Sequence, residues 1–354
     1  RKGLIQTPVF MPVGTYGSVK AMTPDELIDI GAEIILANTY HLMIRPGKDI
    51  LSSHGGLHKM MAWPKPILTD SGGYQIWSLS KKRTITDKYV EFDSPVNGDM
   101  IRLTPEIAMR IQRTLGSDIQ MVLDECTHYP ASKDQALLSM KRSEQWASRS
   151  FESYQDLKED SDSAIFGIIQ GGSEIDLRTQ SLDQIVNIGF DGYAIGGLSV
   201  GENKEEMYKI THHITPKMPV EKPRYLMGVG DPLDLLEGIE AGIDMFDCVM
   251  PTRNGRNGHI FTSEGVLNIR NEKYKNDFSS IDSKSTHTWG TLFSKSYVRH
   301  LFKIKEVLGI RIASTLNLAY YQNLMKIMRE EINKSNFDNW SQSTLSKMKN
   351  MRGM

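Results

Sequence analysis

The chain has 354 residues, 39% hydrophobic and 24% charged, enough for a sizeable core in two domains of ~150 residues or one large barrel, and too apolar for wholesale disorder. Lys and Arg number 42 against 43 Asp and Glu, a net charge of -1 that excludes a globally basic nucleic-acid coat but not a local basic patch. Two cysteines, Cys126 and Cys248, exclude both a disulfide framework and a cysteine-rich zinc site.

The chain opens at Arg1 rather than Met, read as a missing natural start, with no charged-then-apolar leader. No run approaches the ~18 apolar residues of a membrane span, so a reduced, cytoplasmic protein off the membrane is expected. Short apolar runs then alternate with helix-period segments, predicting strands at 8–13, 33–37, 66–70, 119–124, 164–170, 192–196, 224–228 and 245–250. Several lack charges and alternation, as strands buried on both faces of a parallel sheet do. Thr23-Pro24, Thr104-Pro105 and Asp231-Pro232 each read as an N-cap followed by a first-turn proline. Eight strand–helix units in about 250 residues predict an α/β fold, a (β/α)8 barrel. A doubly wound sheet is the alternative, disfavoured by the regular repeat and the missing GxGxxG.

The interval from Ser71 to Ser117 is too long for one helix. Alternating runs around Asn97-Gly98, within 89–103, predict an inserted β-hairpin. Helical patterns follow from Ser294 to Glu331. The expected division is a barrel over 1–270, a C-terminal helical subdomain over 271–335, and a weakly ordered polar tail over 336–354.

In such barrels chemistry collects at the carboxyl ends of the strands. Reading those ends gives Asp70-Ser71-Gly72-Gly73-Tyr74, Asp124-Glu125-Cys126-Thr127, Gln170-Gly171-Gly172, Gly196-Gly197-Leu198, Gly228-Val229-Gly230-Asp231-Pro232 and Asp247-Cys248. Taken singly, each Asp reads as a cap or turn former, each Gly pair as turn geometry, and Gln170 as satisfying a buried carbonyl. Three aspartates converging on one rim are costly unless solvated, paired or used. Paired carboxylates suit glycosyl chemistry, one attacking an anomeric carbon while the other manages protons. A carboxylate and an amide beside exposed backbone also suit a purine edge.

On these residues the sequence resembles the tRNA-guanine transglycosylases of the bacterial queuosine pathway, also called queuine tRNA-ribosyltransferases. The likeness runs from Thr7-Pro-Val-Phe-Met-Pro-Val-Gly-Thr15 to about Ile332, through Asp70-Ser-Gly-Gly-Tyr-Gln75, Asp124-Glu-Cys-Thr127, Ile169-Gln-Gly-Gly172, Gly197-Leu198 and Asp247-Cys-Val-Met-Pro-Thr-Arg-Asn-Gly-Arg256. It implies a TIM barrel and exchange of guanine for preQ1 at the wobble position of tRNAs with GUN anticodons. Asp247 takes the nucleophile's position and Asp70 that of the general acid/base. Asp124, Gln170 and the Gly197 backbone take purine-reading positions and Tyr74 the stacking position, with Ser71, Gly72, Gly73, Leu198 and Met227 completing the pocket. Val200 is the bacterial-type residue, implying preQ1 rather than bulky queuine. Gly228, Val229, Gly230, Asp231, Pro232, Leu233, Asp234, Thr252, Arg253, Asn254, Gly255 and Arg256 match tRNA-contacting segments. The resemblance further implies a homodimer.

Residues 284–311 hold six basic side chains, Lys284, Lys295, Arg299, Lys303, Lys305 and Arg311, against Glu306. They read either as a solvated helix face or, preferred here, as a phosphate patch for the anticodon arm. One feature departs from the family, whose C-terminal zinc is held by Cys-x-Cys-x-x-Cys and a later His. Those positions are Ser285, His287, Gly290 and Leu316, so no metal and no cofactor are expected; Trp289, Phe293, Tyr297, Leu301 and Phe302, at helical spacing, read either as packing in its stead or as ordinary core. A non-catalytic tRNA-binding subunit of the same fold is the alternative. Retention of both Asp70 and Asp247 argues against it. An unrelated carboxylate-pair hydrolase leaves Gln170 and the 252–256 loop without a role.

Overall fold

The computed structural model describes residues 2–80, 82–157 and 163–352. Its main sheet is built from β1 (Val9–Met11), β2 (Val13–Gly14), β3 (Ile35–Asn38) and β4 (Ile67–Asp70). The second half adds β8 (Ile119–Met121), β9 (Ala164–Ile169), β10 (Gly192–Ile195), β11 (Arg224–Leu226) and β12 (Met245–Asp247). All pairings are parallel, in the order β1-β12-β11-β10-β9-β8-β4-β3-β2. The two ends of that order, β1 and β2, are one stretch of chain broken at Pro12, which has no N–H to give a ladder. The sheet therefore closes on itself as the eight-position barrel expected. Residues of β3, β4 and β10 are buried throughout, which is why these strands read as unbroken apolar runs.

The anticipated caps are present. Thr23 and Glu26 form a reciprocal capping box, Thr104 accepts from Ile107 N, and Asp231 Oδ1 accepts from Leu233 N at 3.0 Å. Strand ends were overread by two or three residues in places. The eighth strand stops at Asp247 rather than Met250, because Met250–Arg256 is already helical with Pro251 in its first turn.

The insertion is a three-stranded antiparallel sheet, not only a hairpin. β6 (Val90–Asp93) and β7 (Met100–Leu103) pair as expected, and β5 (Arg83–Ile85) adds to β6. Val90, Phe92 and Leu103 bury against Tyr40, Ile76 and Trp146 over the rim near β4.

Beyond the barrel lie an antiparallel pair, β13 (His259–Thr262) and β14 (Gly265–Asn268), and helices Lys295–Lys303 and Val307–Asn333. A second core joins them, with Ile260, Ile281, Val298, Leu301, Ile312 and Leu316 buried and Trp289, Phe293 and Phe302 against them. Ile260 and Ile269, ahead of residue 271, also pack in this core, while Phe261 between them packs on the barrel core. Tyr297 is largely exposed and touches the core only at its edge, its ring 5.7 Å from that of Phe293.

The tail read as polar and weakly ordered is a helix, Phe337–Arg352, whose Phe337, Trp340, Leu345 and Met348 pack on the barrel core. Four apolar residues among many polar ones sufficed to dock it. Trp340→Ala should therefore destabilise the chain by about 2 kcal/mol in urea titration, less than a fully buried aromatic truncation. A loss below about 0.5 kcal/mol would mean the helix is not seated. Among the described residues no helix is long and apolar enough to cross a membrane.

Candidate active site

A cleft of about 370 Å³ opens at the carboxyl ends of the barrel strands, lined by Asp70, Asp124 and Asp247 together with Ser71, Gly72, Gly73, Tyr74, Gly197, Leu198, Val200, Tyr225, Met227 and Gly228. The register explains its first carboxylate. Asn38 pairs with Asp70 at the ends of β3 and β4, so both side chains leave the sheet on the same side. Asn38 Nδ2 donates to Asp70 Oδ2 at 2.6 Å and the Thr39 amide to Oδ1 at 3.0 Å. Burial outweighs these donors, and the charges of Asp247 and Asp124 add to it, so the Asp70 carboxyl is pushed up to about 7.

Asp247 ends β12. Tyr225 Oη and the Gly228 amide both donate to its Oδ1, at 2.6 and 2.7 Å. Among the described residues no donor is recorded on Oδ2, which is left to the cleft. Burial raises this carboxyl too, opposed by the two donors, while burial and the Asp247 charge push the Tyr225 phenol far above its usual range. Tyr225 therefore stays a neutral donor. Two residues beyond Gly228, the Gly230 carbonyl accepts from Tyr321 of the long C-terminal helix at 2.5 Å.

Asp124 accepts from Gln170 Nε2 at 2.7 Å and from Ser71 Oγ at 3.3 Å, and burial pushes it up to about 6. Gln170 is fully buried behind Asp124, and its Oε1 is buried without a hydrogen-bond partner. Gly197, at φ 63°, lies against that Oε1, and a Cβ there would collide with it. At Gly73 a Cβ would collide with the Asp124 carbonyl, so glycine is required for the turn after β4 to approach β8. Tyr74 is exposed beside Trp77, ring centroids 5.5 Å apart, presenting an aromatic wall at the mouth. Burial raises the Cys126 and Cys248 thiols, Cys248 to about 11, so neither is a thiolate nucleophile at neutral pH.

The segments read as tRNA-contacting divide by depth. Gly228 and Arg253 are exposed, and Asp231, Asn254 and Arg256 partly so; Val229, Gly230, Pro232, Leu233, Asp234, Thr252 and Gly255 are buried. The basic run divides as well. Arg299 pairs with Glu272, Arg311 with Glu26 at 2.5 Å and Lys295 with Asp277 at 3.7 Å, whereas Lys284, Lys303 and Lys305 are exposed. Half of the patch is thus spent on holding the fold.

Sequence reasoning missed Asn38, Tyr225 and Arg178. Asn38 ends an apolar run and could have been found by extending that strand by one residue. Tyr225, inside a strand, and Arg178, inside the Ile175–Ile188 helix, carry no local signal.

The donor set at the C-terminal loop does not fit zinc. Ser285 Oγ donates to the His287 carbonyl at 3.1 Å and accepts its amide at 3.2 Å. His287 Nδ1 caps Trp289 N at 3.2 Å, and burial lowers its pKa, so the ring is neutral and occupied. Ser285 fills the space over Gly290, and Leu316 is buried in the second core. Among the described residues no group of three or more His, Cys, Asp or Glu could hold a metal ion.

The sequence profile of the queuine tRNA-ribosyltransferase family matches residues 1–350. Among curated proteins, the queuine tRNA-ribosyltransferase of Francisella tularensis subsp. novicida (strain U112) is 54% identical over 348 residues, covering 98% of this chain and 94% of that protein. Those of Tolumonas auensis and Shewanella halifaxensis are each 53% identical, covering 96% and 95% of this chain and 90% and 89% of theirs.

Proposed function

The chain belongs to the queuine tRNA-ribosyltransferase family, and from that premise we propose that it exchanges guanine at the wobble position of GUN-anticodon tRNAs for preQ1, through a covalent ribosyl-aspartate. One observation carries the reading: two carboxylates face one cleft, half-buried Asp247 with its charged form held by two donors and buried Asp70 poised at about 7. The wobble base leaves the anticodon stack and enters the cleft. Asp247 Oδ2 attacks ribose C1′ as the C1′–N9 bond breaks, and the electron pair departs with N9, which takes its proton from the Asp70 carboxyl. In return, the Asp70 carboxylate removes the N9 proton of the entering base, N9 attacks C1′, and the Asp247 carboxylate is released.

Asp124 accepts the purine's N–H donors, backed by Gln170, while the Gly197 backbone supplies a donor and Tyr74 stacks on the ring. Ser71, Gly72, Gly73, Leu198 and Met227 line the same cleft. Val200 stands in its wall, which favours the small aminomethyl substituent of preQ1 over queuine. Arg253, at the cleft, and the partly exposed Arg256 hold the anticodon-loop phosphates or base edges. The buried members of 228–234 and 252–256 shape that surface from beneath. Exposed Leu292, Tyr297, Ile304 and Val307 support a homodimer, and a tRNA substrate favours a cytoplasmic enzyme.

The test is incubation with unmodified tRNA and radiolabelled guanine. Label in the tRNA is expected, and its absence defeats the reading in favour of a non-catalytic subunit. The C-terminal unit is proposed to be metal-free, held by its apolar core. Metal analysis of the purified chain should find well under one zinc per chain, and chelator should leave its melting temperature unchanged. Stoichiometric zinc, or melting shifted by chelator, would show that other residues took over the ligation.

A further inference from the structure

Arg178 lies on the Ile175–Ile188 helix with no exposed surface. A buried guanidinium ordinarily meets a carboxylate. Among the described residues this one hydrogen-bonds main-chain carbonyls, with Glu202 acting on it only as a nearby charge: Nε donates to Gly172 at 2.8 Å, Nη1 to Ile169 at 2.8 Å and Gly196 at 2.7 Å, and Nη2 to Gly197 at 3.3 Å. Burial lowers it to about 10, so it remains a cation at neutral pH. Its partners come from the ends of β9 and β10 and the turns that follow, so it ties the Gln170 segment to the Gly197 segment.

The peptide geometry gives this tie a direction. In a planar trans peptide the C=O and N–H point opposite ways. The Gly196 carbonyl, drawn down to Arg178, sends the Gly197 N–H away from it; the Gly197 carbonyl does the same for the Leu198 N–H. Gly196, Gly197 and Leu198 line the cleft, whereas Arg178 lies behind them. We propose that Arg178 is a positioning residue for base selection, aiming two consecutive backbone N–H donors into the cleft, where they hold the 6-oxygen of the purine. This rests on the guanine-exchange reading. Guanine offers O6 and N7 as acceptors on one edge, and its N–H donors on the other suit Asp124. Arg178 touches no substrate and acts through the peptide planes alone.

Arg178→Lys tests this. One ammonium cannot span the fork that reaches four carbonyls on two strand ends, so the two peptides lose their fixed orientation. The KM for guanine should rise about tenfold or more, while kcat and the KM for tRNA change less than about threefold. 2-Aminopurine, which lacks the 6-oxygen, serves as a competitive inhibitor whose inhibition constant should move less than about twofold. An unchanged guanine KM overturns the proposal. So does a uniform loss in guanine, 2-aminopurine and tRNA, which a general structural defect produces. Should Arg178→Lys fail to fold, Arg178→Gln, which keeps two amide donors, takes its place with the same expected split. Failure of the wild-type chain to incorporate guanine refutes the exchange reading itself, a result distinct from wild-type exchange with an indifferent Arg178→Lys.

Discussion

Asp247→Ala is expected to abolish guanine exchange, a loss on the order of 10⁴ to 10⁶-fold, and with it any protein–tRNA adduct that survives denaturing electrophoresis. The expectation follows from the division of labour around this carboxylate. Its Oδ1 is occupied by Tyr225 and Gly228, which orient it, and among the described residues nothing donates to its Oδ2, at the cleft. The other cleft aspartates are engaged elsewhere: Asp124 accepts from Gln170 and Ser71, Asp234 from Lys204 and Tyr208, and Asp231 caps the helix that follows it. Asp70 lies too near neutrality, and both thiols are pushed up by burial. The variant should still fold, because the pairing of Met11 with residue 247 and of Leu226 with Phe246 is made by main chain. Asp247→Asn separates chemistry from shape: it keeps an acceptor for Tyr225 and Gly228 but cannot form the ester. An adduct persisting in Asp247→Ala would move the nucleophile elsewhere on the rim.

The barrel was legible because buried parallel strands write themselves as apolar runs, and β3, β4, β9 and β10 did so. The carboxylates were legible because three of them end such runs on one rim, although each alone reads as a cap or turn former. Less local features escaped. β5 has two exposed residues of three and no apolar pattern, so it looked like loop. The Phe337–Arg352 helix docks through a sparse set of apolar residues diluted by Ser, Asn and Lys, so composition spoke louder than periodicity. Tyr225 and Arg178 act between neighbouring strands, on partners 22 and up to 19 positions away along the chain, and spacing along the chain cannot register that. The basic run was visible, but nothing in the sequence told that Arg299, Arg311 and Lys295 had acidic partners on other segments.

The two cysteines, first informative by their scarcity, turn out to belong to the cleft wall. Cys126 and Cys248 each follow an aspartate strand end or lie within two residues of one, and both line the cavity. Their burial as neutral thiols makes them small apolar packing groups beside carboxylates. The C-terminal loop meanwhile dispenses with sulfur altogether, using Ser285 and His287 to close its turn by hydrogen bonds.

Asp70→Asn is expected to slow exchange about 10² to 10⁴-fold, the usual worth of a positioned general acid/base, and to change the pH behaviour of both catalysis and stability. With its carboxyl at about 7, Asp70 is roughly half protonated at neutral pH. Guanine release, which needs the acid, should fall as pH rises above about 7 in the wild type; capture of the entering base, which needs the carboxylate, should rise over the same window. Overall exchange then peaks near neutrality, and in Asp70→Asn both limbs flatten. The stability consequence has the opposite sign to that of a salt-bridged carboxylate. Folding raises Asp70 and Asp124 from 3.8 to about 7 and about 6, so between these values the folded chain holds protons that the unfolded chain has released. Stability from these groups is complete below about pH 4 and is lost as pH rises through about 6 and 7. For Asp70 the loss is on the order of 4 kcal/mol at most. Asp70→Asn removes it, offset in part because its new amide faces the Asn38 donor that Oδ2 had accepted. The melting temperature of Asp70→Asn minus that of the wild type should therefore increase from pH 4 to pH 8. A difference that stays flat across that range would mean Asp70 is charged throughout, and the proton for the leaving base would have to come from another group.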